Sequence, residues 1–265
     1  MPELAEVQTV RTTLQKQILH HPIRKIDVLY SKIIENDLDY FINHLLNHEF
    51  IDIKRKGKYL IFETDDQYLI SHLRMEGKYF TKNKEDEIVK HEHVIFYFDD
   101  FTLRYHDTRK FGRMKLINKD ALDDYFKDLG PDANSDIDTD YLYNKLHNKK
   151  IPIKTLLLDQ SIIAGLGNIY VDEVLYEAKI NPFRLGCKIT KEDTKNIIMA
   201  SKKILDEAIK CKGTTIRSYT SSLGVYGTYQ DKLNVHTKTV CKCGNPIKIE
   251  RIGGRSTYYC PKCQK

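Results

Sequence analysis

Residues 1–18 read MPELAEVQTVRTTLQKQI, a stretch in which apolar and polar positions alternate with a helical period. Its apolar residues recur every three or four positions, as they do on one face of an α-helix. These residues are Leu4, Val7, Val10, Leu14 and Ile18. Because an apolar helix face is buried when the helix docks, the stretch predicts an amino-terminal helix packed on the protein core.

The sequence that follows, between Ile23 and Leu116, changes to short alternating runs typical of β-strands. Asp65-Asp66 and Asp99-Asp100 separate neighbouring runs and mark turns. The runs are FIDIK (50–54), YLIFET (59–64), YLISHL (68–73), HVIFYF (93–98) and TLRYHD (102–107). This pattern predicts an antiparallel β-sandwich, so the expected fold class is α+β.

An acidic segment without periodicity, LGPDANSDIDTD at residues 129–140, predicts a connection between two domains. Helical patterning follows, including a helix that begins after Thr190 and ends at Lys212-Gly213. The last thirty or so residues are strand-like and rich in cysteine. We therefore expect a catalytic helix-and-sandwich domain at 1–130, a helical domain at 131–231 and a metal-stabilised unit at 232–265.

Composition and charge favour a protein of more than one domain that binds a polyanion. The 265 residues carry a net charge of +6, yet residues 1–130 hold 21 basic and 23 acidic side chains. Residues 232–265 set eight Lys and Arg against Glu250 alone, a local excess that attracts a phosphate backbone. Apolar stretches such as IIAGLGNIY (162–170) are far shorter than the roughly 20 residues that span a bilayer. We expect a cytoplasmic protein that makes no membrane contact.

Four of the six cysteines form two close pairs, separated by sixteen residues, near the carboxyl end. The pairs are Cys241 with Cys243 and Cys260 with Cys263, whereas Cys187 and Cys211 lie apart from them. Because thiols stay reduced in the cytosol, metal ligation is favoured over a disulfide framework.

Proline at position 2 follows an initiator methionine that is readily removed before a small residue. A free amino-terminal amine has a pKa of about 8, well below that of lysine, so a useful fraction is nucleophilic at neutral pH. Such an amine can attack the anomeric carbon of a sugar and form an imine. The alternative is structural, since proline begins helices well and Glu3 and Glu6 complement a helix dipole.

Seven blocks of the chain together resemble the formamidopyrimidine-DNA glycosylases. They are MPELAEV (1–7), RKGKYLIF (55–62), HLRMEGKY (72–79), YHDTRKFG (105–112), AGLGNIYVDE (164–173), GTTIRSY (213–219) and GRSTYYCPKCQ (254–264). The resemblance implies an amino-terminal helix and β-sandwich, then a helix-two-turn-helix domain with a zinc-finger hairpin, with DNA bound between the two domains.

The resemblance also implies roles for individual residues of the active site. Pro2 is expected to be the Schiff-base nucleophile, Glu3 the acid that assists opening of the sugar ring, and Glu6 a supporting residue. Lys58 matches the family lysine that grips phosphate beside the lesion. Met75, Arg109 and Phe111 match the residues that fill the space left by the extruded base, where Arg109 can contact the orphaned cytosine.

Further residues match DNA contacts of the family. Asn168, in the GLGN stretch before a predicted helix, also has a physical case, because amides at a helix amino terminus bind phosphate. The expected backbone contacts are His72, His91, Arg109, Lys154, Asn168 and Arg255. The segment at 213–219 resembles the loop that closes over the extruded base, and its named residues are Thr214, Ile216, Arg217, Ser218 and Tyr219.

The chain departs from the family pattern at two places. Ala5 stands where the family usually has a second proline, a change that removes no reactive group. One residue separates Cys241 from Cys243 where the family has two. Four thiolates can still form a tetrahedral zinc site, and His236 is an alternative ligand in place of Cys241.

The sequence therefore predicts a monomeric, nucleoid-associated DNA repair enzyme with one structural zinc ion. Its expected substrate is double-stranded DNA that contains an oxidised purine or an abasic site, and its expected activities are base excision and strand cleavage. A related enzyme of the endonuclease VIII type would instead prefer oxidised pyrimidines. A non-catalytic zinc-finger protein would explain the cysteines and the basic tail, although not the combination of Pro2, Glu3 and Glu6.

We expect the affinity for undamaged duplex to fall steeply with salt, since each phosphate contact displaces counterions. Replacing Lys58 with alanine should lower the log-log slope of affinity against salt by roughly one unit. Fluorescence anisotropy titrations at several salt concentrations measure this slope. An unchanged slope would remove Lys58 from the set of DNA contacts.

Overall fold

The amino-terminal helix forms as its apolar period predicts. In the computed structural model, which describes residues 1–214 and 227–265, helix α1 spans Leu4–Ile18. All five apolar residues of its inner face are fully buried. The helix therefore docks through the face that the sequence predicted.

Eight antiparallel strands form two four-stranded sheets, in the orders β1-β6-β7-β5 and β2-β3-β4-β8. The strands are β1 (Lys25–Val28), β2 (Asp52–Lys56), β3 (Tyr59–Glu63), β4 (Gln67–His72), β5 (Lys78–Asn83), β6 (Glu92–Tyr97), β7 (Phe101–His106) and β8 (Arg113–Asn118). Both predicted Asp-Asp turns lie between strands. Apolar residues of both sheets and of α1 share one buried cluster, which confirms the sandwich.

The remaining helices are mostly short. They are α2 (Leu38–Asn43), α3 (Leu122–Tyr125), α4 (Thr139–Leu146), α5 (Ile153–Leu158), α6 (Asn168–Glu177) and α7 (Lys191–Lys210). Helix α7 begins with a capping box in which Thr190 and Asp193 exchange hydrogen bonds between side chain and backbone. A hairpin of β9 (Lys248–Ile252) and β10 (Arg255–Tyr259) follows. These elements confirm the α+β class and the carboxy-terminal hairpin.

The chain divides into two compact units. Of the described residues, one unit contains 1–2, 6–127 and 227, and the other contains 3–5, 128–214 and 228–265. The second unit includes the hairpin, and α6 contacts both α7 and β10 within it. The separate third domain at 232–265 thus stays a prediction. Among the described residues, no helix is long and apolar enough to cross a membrane.

A buried arginine organises the segment between β5 and β6, which leads to His91. The Arg104 side chain is 1% exposed, and its guanidinium donates to the carbonyl oxygens of Asn83, Asp86 and Glu87. It also donates to the Glu92 carboxylate at 3.0 Å. Because a buried charge needs partners for its donors, these contacts hold the irregular segment against β7.

Replacing Arg104 with methionine should lower the free energy of unfolding by about 3–5 kcal/mol, because Glu92 and three carbonyl groups lose a buried donor. Urea unfolding monitored by circular dichroism measures the change. Arg24→Met is the control, since Arg24 forms an exposed ion pair with Asp99 and its loss should change stability little. Equal losses in the two variants would contradict the proposed role of Arg104.

Candidate active site and nucleic-acid interface

The buried carboxylate of Glu3 binds the amino terminus of helix α6. Its Oε2 accepts hydrogen bonds from the amides of Gly167 at 2.7 Å and Tyr170 at 3.3 Å, and its Oε1 accepts from Ile169 at 3.0 Å. The amide of Leu4 donates to the carbonyl oxygen of Gly165 at 3.1 Å. The helix dipole and three donors together stabilise the negative charge of a side chain that is only 3% exposed.

Position 167 requires glycine because a side chain there would overlap the Glu3 carboxylate. Its backbone angles of φ −128° and ψ −160° are extended and suit any residue. A Cβ there would lie 2.5 Å from Glu3 Oε1, which is too close for a non-bonded contact. The GLGN stretch therefore receives the chain's own carboxylate, whereas the sequence suggests phosphate at these amides.

Lys154 and Asn168 meet at one carbonyl group. The Nζ of Lys154 donates to Ser256 O at 3.0 Å, to Thr257 Oγ1 at 3.0 Å and to Asp172 Oδ1 at 2.8 Å. The Nδ2 of Asn168 donates to the same Ser256 oxygen at 3.0 Å. Lys154 is fully buried, and burial lowers its pKa while Asp172 opposes that shift. The structure places Lys154 beneath the protein surface. A contact between Lys154 and DNA therefore stays a prediction.

Two buried acids of α6 that the sequence reasoning missed complete this network. Asp172 Oδ2 bonds His236 Nδ1 at 2.8 Å and accepts the amide of Tyr258 at 3.2 Å. The Glu173 carboxylate accepts the backbone amides of residues 234–236. The sequence signal for these residues is a pair of adjacent acids in the apolar middle of α6, because buried carboxylates need several donors.

Lys58 lies in the tight turn between β2 and β3, and it is 5% exposed. The register pairs Tyr59 with His72, which brings the end of β4 close to this turn. Burial, with the positive charges of Arg74 and Lys58, lowers the pKa of His72 to about 3. His72 is therefore neutral at physiological pH, and its Nδ1 accepts the Arg74 amide at 2.9 Å.

The predicted void-filling residues lie on two loops of the sandwich. Met75 is 37% exposed between β4 and β5, and Phe111 is 47% exposed between β7 and β8. The Arg109 guanidinium lies 4.9 Å from the centre of the Phe111 ring. Both apolar side chains are therefore accessible to a partner.

Buried side chains support both loops from below. The Asp107 carboxylate accepts the amides of Arg109 at 2.9 Å and Gly112 at 2.8 Å. A Cβ at Gly112 or Gly77 would overlap the Tyr105 hydroxyl. The two glycines therefore let both loops approach the same tyrosine.

The remaining predicted contacts lie in different parts of the chain. His91, just before β6, adopts a positive φ of 74° and packs against His93 and His106. Arg255 is exposed at the start of β10, and Thr214 is buried. Ile216, Arg217, Ser218 and Tyr219 lie outside the described residues.

The four cysteines predicted to bind zinc come together. The Sγ atoms of Cys241 and Cys263 are 3.9 Å apart, and those of Cys243 and Cys260 are 3.6 Å apart. Four thiolates at about 2.3 Å from a tetrahedral zinc ion would have an edge of about 3.8 Å, and a disulfide requires about 2.05 Å. All four ligand atoms lie within 4.8 Å of one another, so the residues fit a zinc ion. His236 is not part of this group.

Known protein families match three successive segments of the chain. Models of the formamidopyrimidine-DNA glycosylase N-terminal domain, of its H2TH domain and of a zinc finger found in FPG and IleRS match residues 1–114, 129–220 and 242–265. Proteins named formamidopyrimidine-DNA glycosylase from Streptococcus pneumoniae and Ligilactobacillus salivarius are 44% and 46% identical. Each alignment covers 100% of this chain and 99% of the relative.

The chain belongs to the formamidopyrimidine-DNA glycosylase family. Among solved structures, wild-type Lactococcus lactis Fpg with DNA that contains N7-benzyl-Fapy-dG has a TM-score of 0.95, at 40% identity and 100% coverage of both chains. Lactococcus lactis Fpg with DNA that contains an abasic site also scores 0.95, at 41% identity and 99% coverage of both. The match to the zinc-finger model begins at residue 242, so it includes Cys243, Cys260 and Cys263 and leaves out Cys241.

In this glycosylase, Gly167→Ala should lower the free energy of unfolding by about 1–3 kcal/mol through steric overlap with Glu3. In a Glu3→Ala background the same substitution should cost much less, because the overlapping carboxylate is gone. A double-mutant cycle from urea unfolding measures this coupling. Equal losses in both backgrounds would show that the two residues do not interact.

Proposed function

We propose that this protein is a bifunctional DNA glycosylase and abasic-site lyase that excises oxidised purines, such as 8-oxoguanine and formamidopyrimidines. The observation that carries the proposal is the Glu3 carboxylate, fixed on the α6 amides directly after Pro2 in the chain. Relatives with the same family name align over the whole chain, and related structures hold DNA with a Fapy lesion or an abasic site.

Removal of Met1 frees the Pro2 nitrogen, which attacks C1′ of the damaged nucleotide. The new N–C1′ bond forms as the glycosidic bond breaks, and the base leaves with the bonding electrons and takes a proton from water. Glu3 is the group that moves protons between the Pro2 nitrogen and the opening sugar ring. Its three backbone donors hold it in one orientation, so that it needs little reorganisation during the reaction.

The C1′–O4′ bond then breaks, and O4′ receives the proton that Glu3 carries from the Pro2 nitrogen. The resulting iminium between Pro2 and C1′ makes the hydrogen on C2′ acidic. Loss of that proton expels the 3′ phosphate by β-elimination, and a second elimination expels the 5′ phosphate. One nucleophile thus serves base excision and strand cleavage, whereas an enzyme that activates water would perform only the first step. Glu6 and Lys58 support the site, Lys58 as a phosphate contact beside the lesion.

Contacts to the DNA backbone come from both units. We assign His72, His91, Arg109, Asn168 and Arg255 to this set, and Lys154 acts through the Ser256 carbonyl that it shares with Asn168. Because Nδ1 of the neutral His72 already accepts the Arg74 amide, its Nε2 can donate one hydrogen bond to DNA without adding charge. Nucleoid association follows from such binding.

Extrusion of the damaged base is assigned to the exposed loops of the sandwich. Met75 and Phe111 insert into the stack, and Arg109 contacts the orphaned cytosine. The segment with Thr214, Ile216, Arg217, Ser218 and Tyr219 closes over the extruded base.

Zinc bound by Cys241, Cys243, Cys260 and Cys263 has a structural function. A closed site of four thiolates leaves no position for substrate, so the ion stabilises the β9–β10 hairpin that presents Arg255. The chain binds DNA as a monomer in this proposal.

Sodium borohydride should trap a covalent adduct between the protein and a duplex that carries 8-oxoguanine opposite cytosine, because it reduces the Pro2 iminium. A variant with an extra amino-terminal residue that is not removed holds the Pro2 nitrogen in an amide. It should fold and bind DNA normally, yet neither cleave nor trap. Gel electrophoresis and mass spectrometry of the adduct measure both outcomes.

A duplex with an oxidised pyrimidine is the substrate control and should be cleaved much more slowly. Faster cleavage of that duplex would favour an enzyme of the endonuclease VIII type. Normal cleavage by the extended variant, or an adduct on Lys58, would refute the amino-terminal mechanism.

A further inference from the structure

The two cysteine pairs of the zinc site differ in length. Cys260 and Cys263 are separated by two residues, and the backbone amides of Lys262 and Cys263 donate to the Cys260 sulfur. Cys241 and Cys243 are separated by Lys242 alone. A chain that is one residue shorter cannot turn its amides toward the first sulfur in the same way.

Two backbone amides near the Cys241 sulfur are committed to the turn. The Cys241 amide donates to Asn245 O at 2.8 Å, and the Gly244 amide donates to Cys241 O at 2.8 Å. The second sulfur of the pair has a local donor, because Asn245 Nδ2 lies 3.3 Å from Cys243 Sγ. The sulfurs of Cys243 and Cys260 thus have hydrogen-bond donors within their own turns, and the donor to the Cys241 sulfur comes from another element.

A tyrosine from helix α6 reaches the Cys241 sulfur. The Tyr176 hydroxyl lies 3.3 Å from Cys241 Sγ, and its half-buried ring packs on the apolar cluster of Val235, Ile247 and Cys260. A thiolate that binds zinc has no proton, so the hydroxyl must be the donor in the metal-bound protein. Hydrogen bonds to ligand atoms fix their orientation and raise metal affinity.

We propose that Tyr176 donates to Cys241 the hydrogen bond that the contracted cysteine pair does not provide from its own backbone, and thereby retains the zinc ion. The contact also ties the metal centre to α6, whose first turn holds Glu3. This inference rests on zinc binding by the four cysteines and is independent of the glycosylase chemistry.

The test compares Tyr176→Phe with Tyr258→Phe in the full-length, zinc-loaded protein. Tyr258 packs against the same cluster, and its ring lies against His236. The absorbance of a zinc indicator measures zinc release into excess chelator. Release should be on the order of 10-fold faster from Tyr176→Phe than from the parent protein. Release from Tyr258→Phe should match the parent protein.

A rescue variant separates the hydrogen bond from simple packing. Inserting one glycine after Lys242 gives the first pair the spacing of the second, so backbone amides can serve the Cys241 sulfur. In the Tyr176→Phe background this insertion should slow zinc release again. Equal release from the parent and Tyr176→Phe, or faster release from both tyrosine variants alike, would overturn the proposal.

A measurement on the unaltered chain covers the case in which Tyr176→Phe does not fold. In protein loaded with cadmium-113, the Tyr176 hydroxyl proton should show scalar coupling to the metal through the hydrogen bond. A visible hydroxyl proton without that coupling would also overturn the proposal.

Discussion

Burial of the Glu3 carboxylate on the first turn of α6 is the interaction on which the site depends. A charged group that leaves water must recover its hydrogen bonds, and Glu3 recovers three from backbone amides. This requirement determines glycine at position 167 and fixes the chain directly after Pro2. In the proposed reaction, the Pro2 amine therefore directly precedes in the chain a carboxylate whose orientation is fixed.

Helix α6 connects the groups that the proposed activity needs within the second unit. Its first turn holds Glu3, its middle holds Lys154 and His236 through Asp172, and its last turn reaches Cys241 through Tyr176. Asn168 and Tyr176 are eight residues apart, a rise of about 12 Å along the axis. A disturbance at the zinc centre therefore lies two helical turns from the acid of the proposed reaction.

In the proposed reaction the sandwich meets a different demand, because it would present apolar side chains to DNA and keep them in position. Met75 and Phe111 are exposed, and each would be free to move if its loop were unsupported. Tyr105 and Asp107 hold the two loops from inside through close packing and amide hydrogen bonds. Rigid support for exposed groups reduces the ordering cost of inserting them into DNA.

The sequence alone determined the features that depend on neighbours along the chain. Helical and strand periods predicted α1, α7 and the sandwich, and the cysteine spacing predicted the metal site. Only the tertiary structure decided which distant groups stabilise each buried charge. Glu3 accepts hydrogen bonds from amides 164–167 residues away, and Lys154 is buried against Asp172. The physical reason is that burial and hydrogen-bond partners are set by packing between distant segments, which leaves no periodic trace in the sequence.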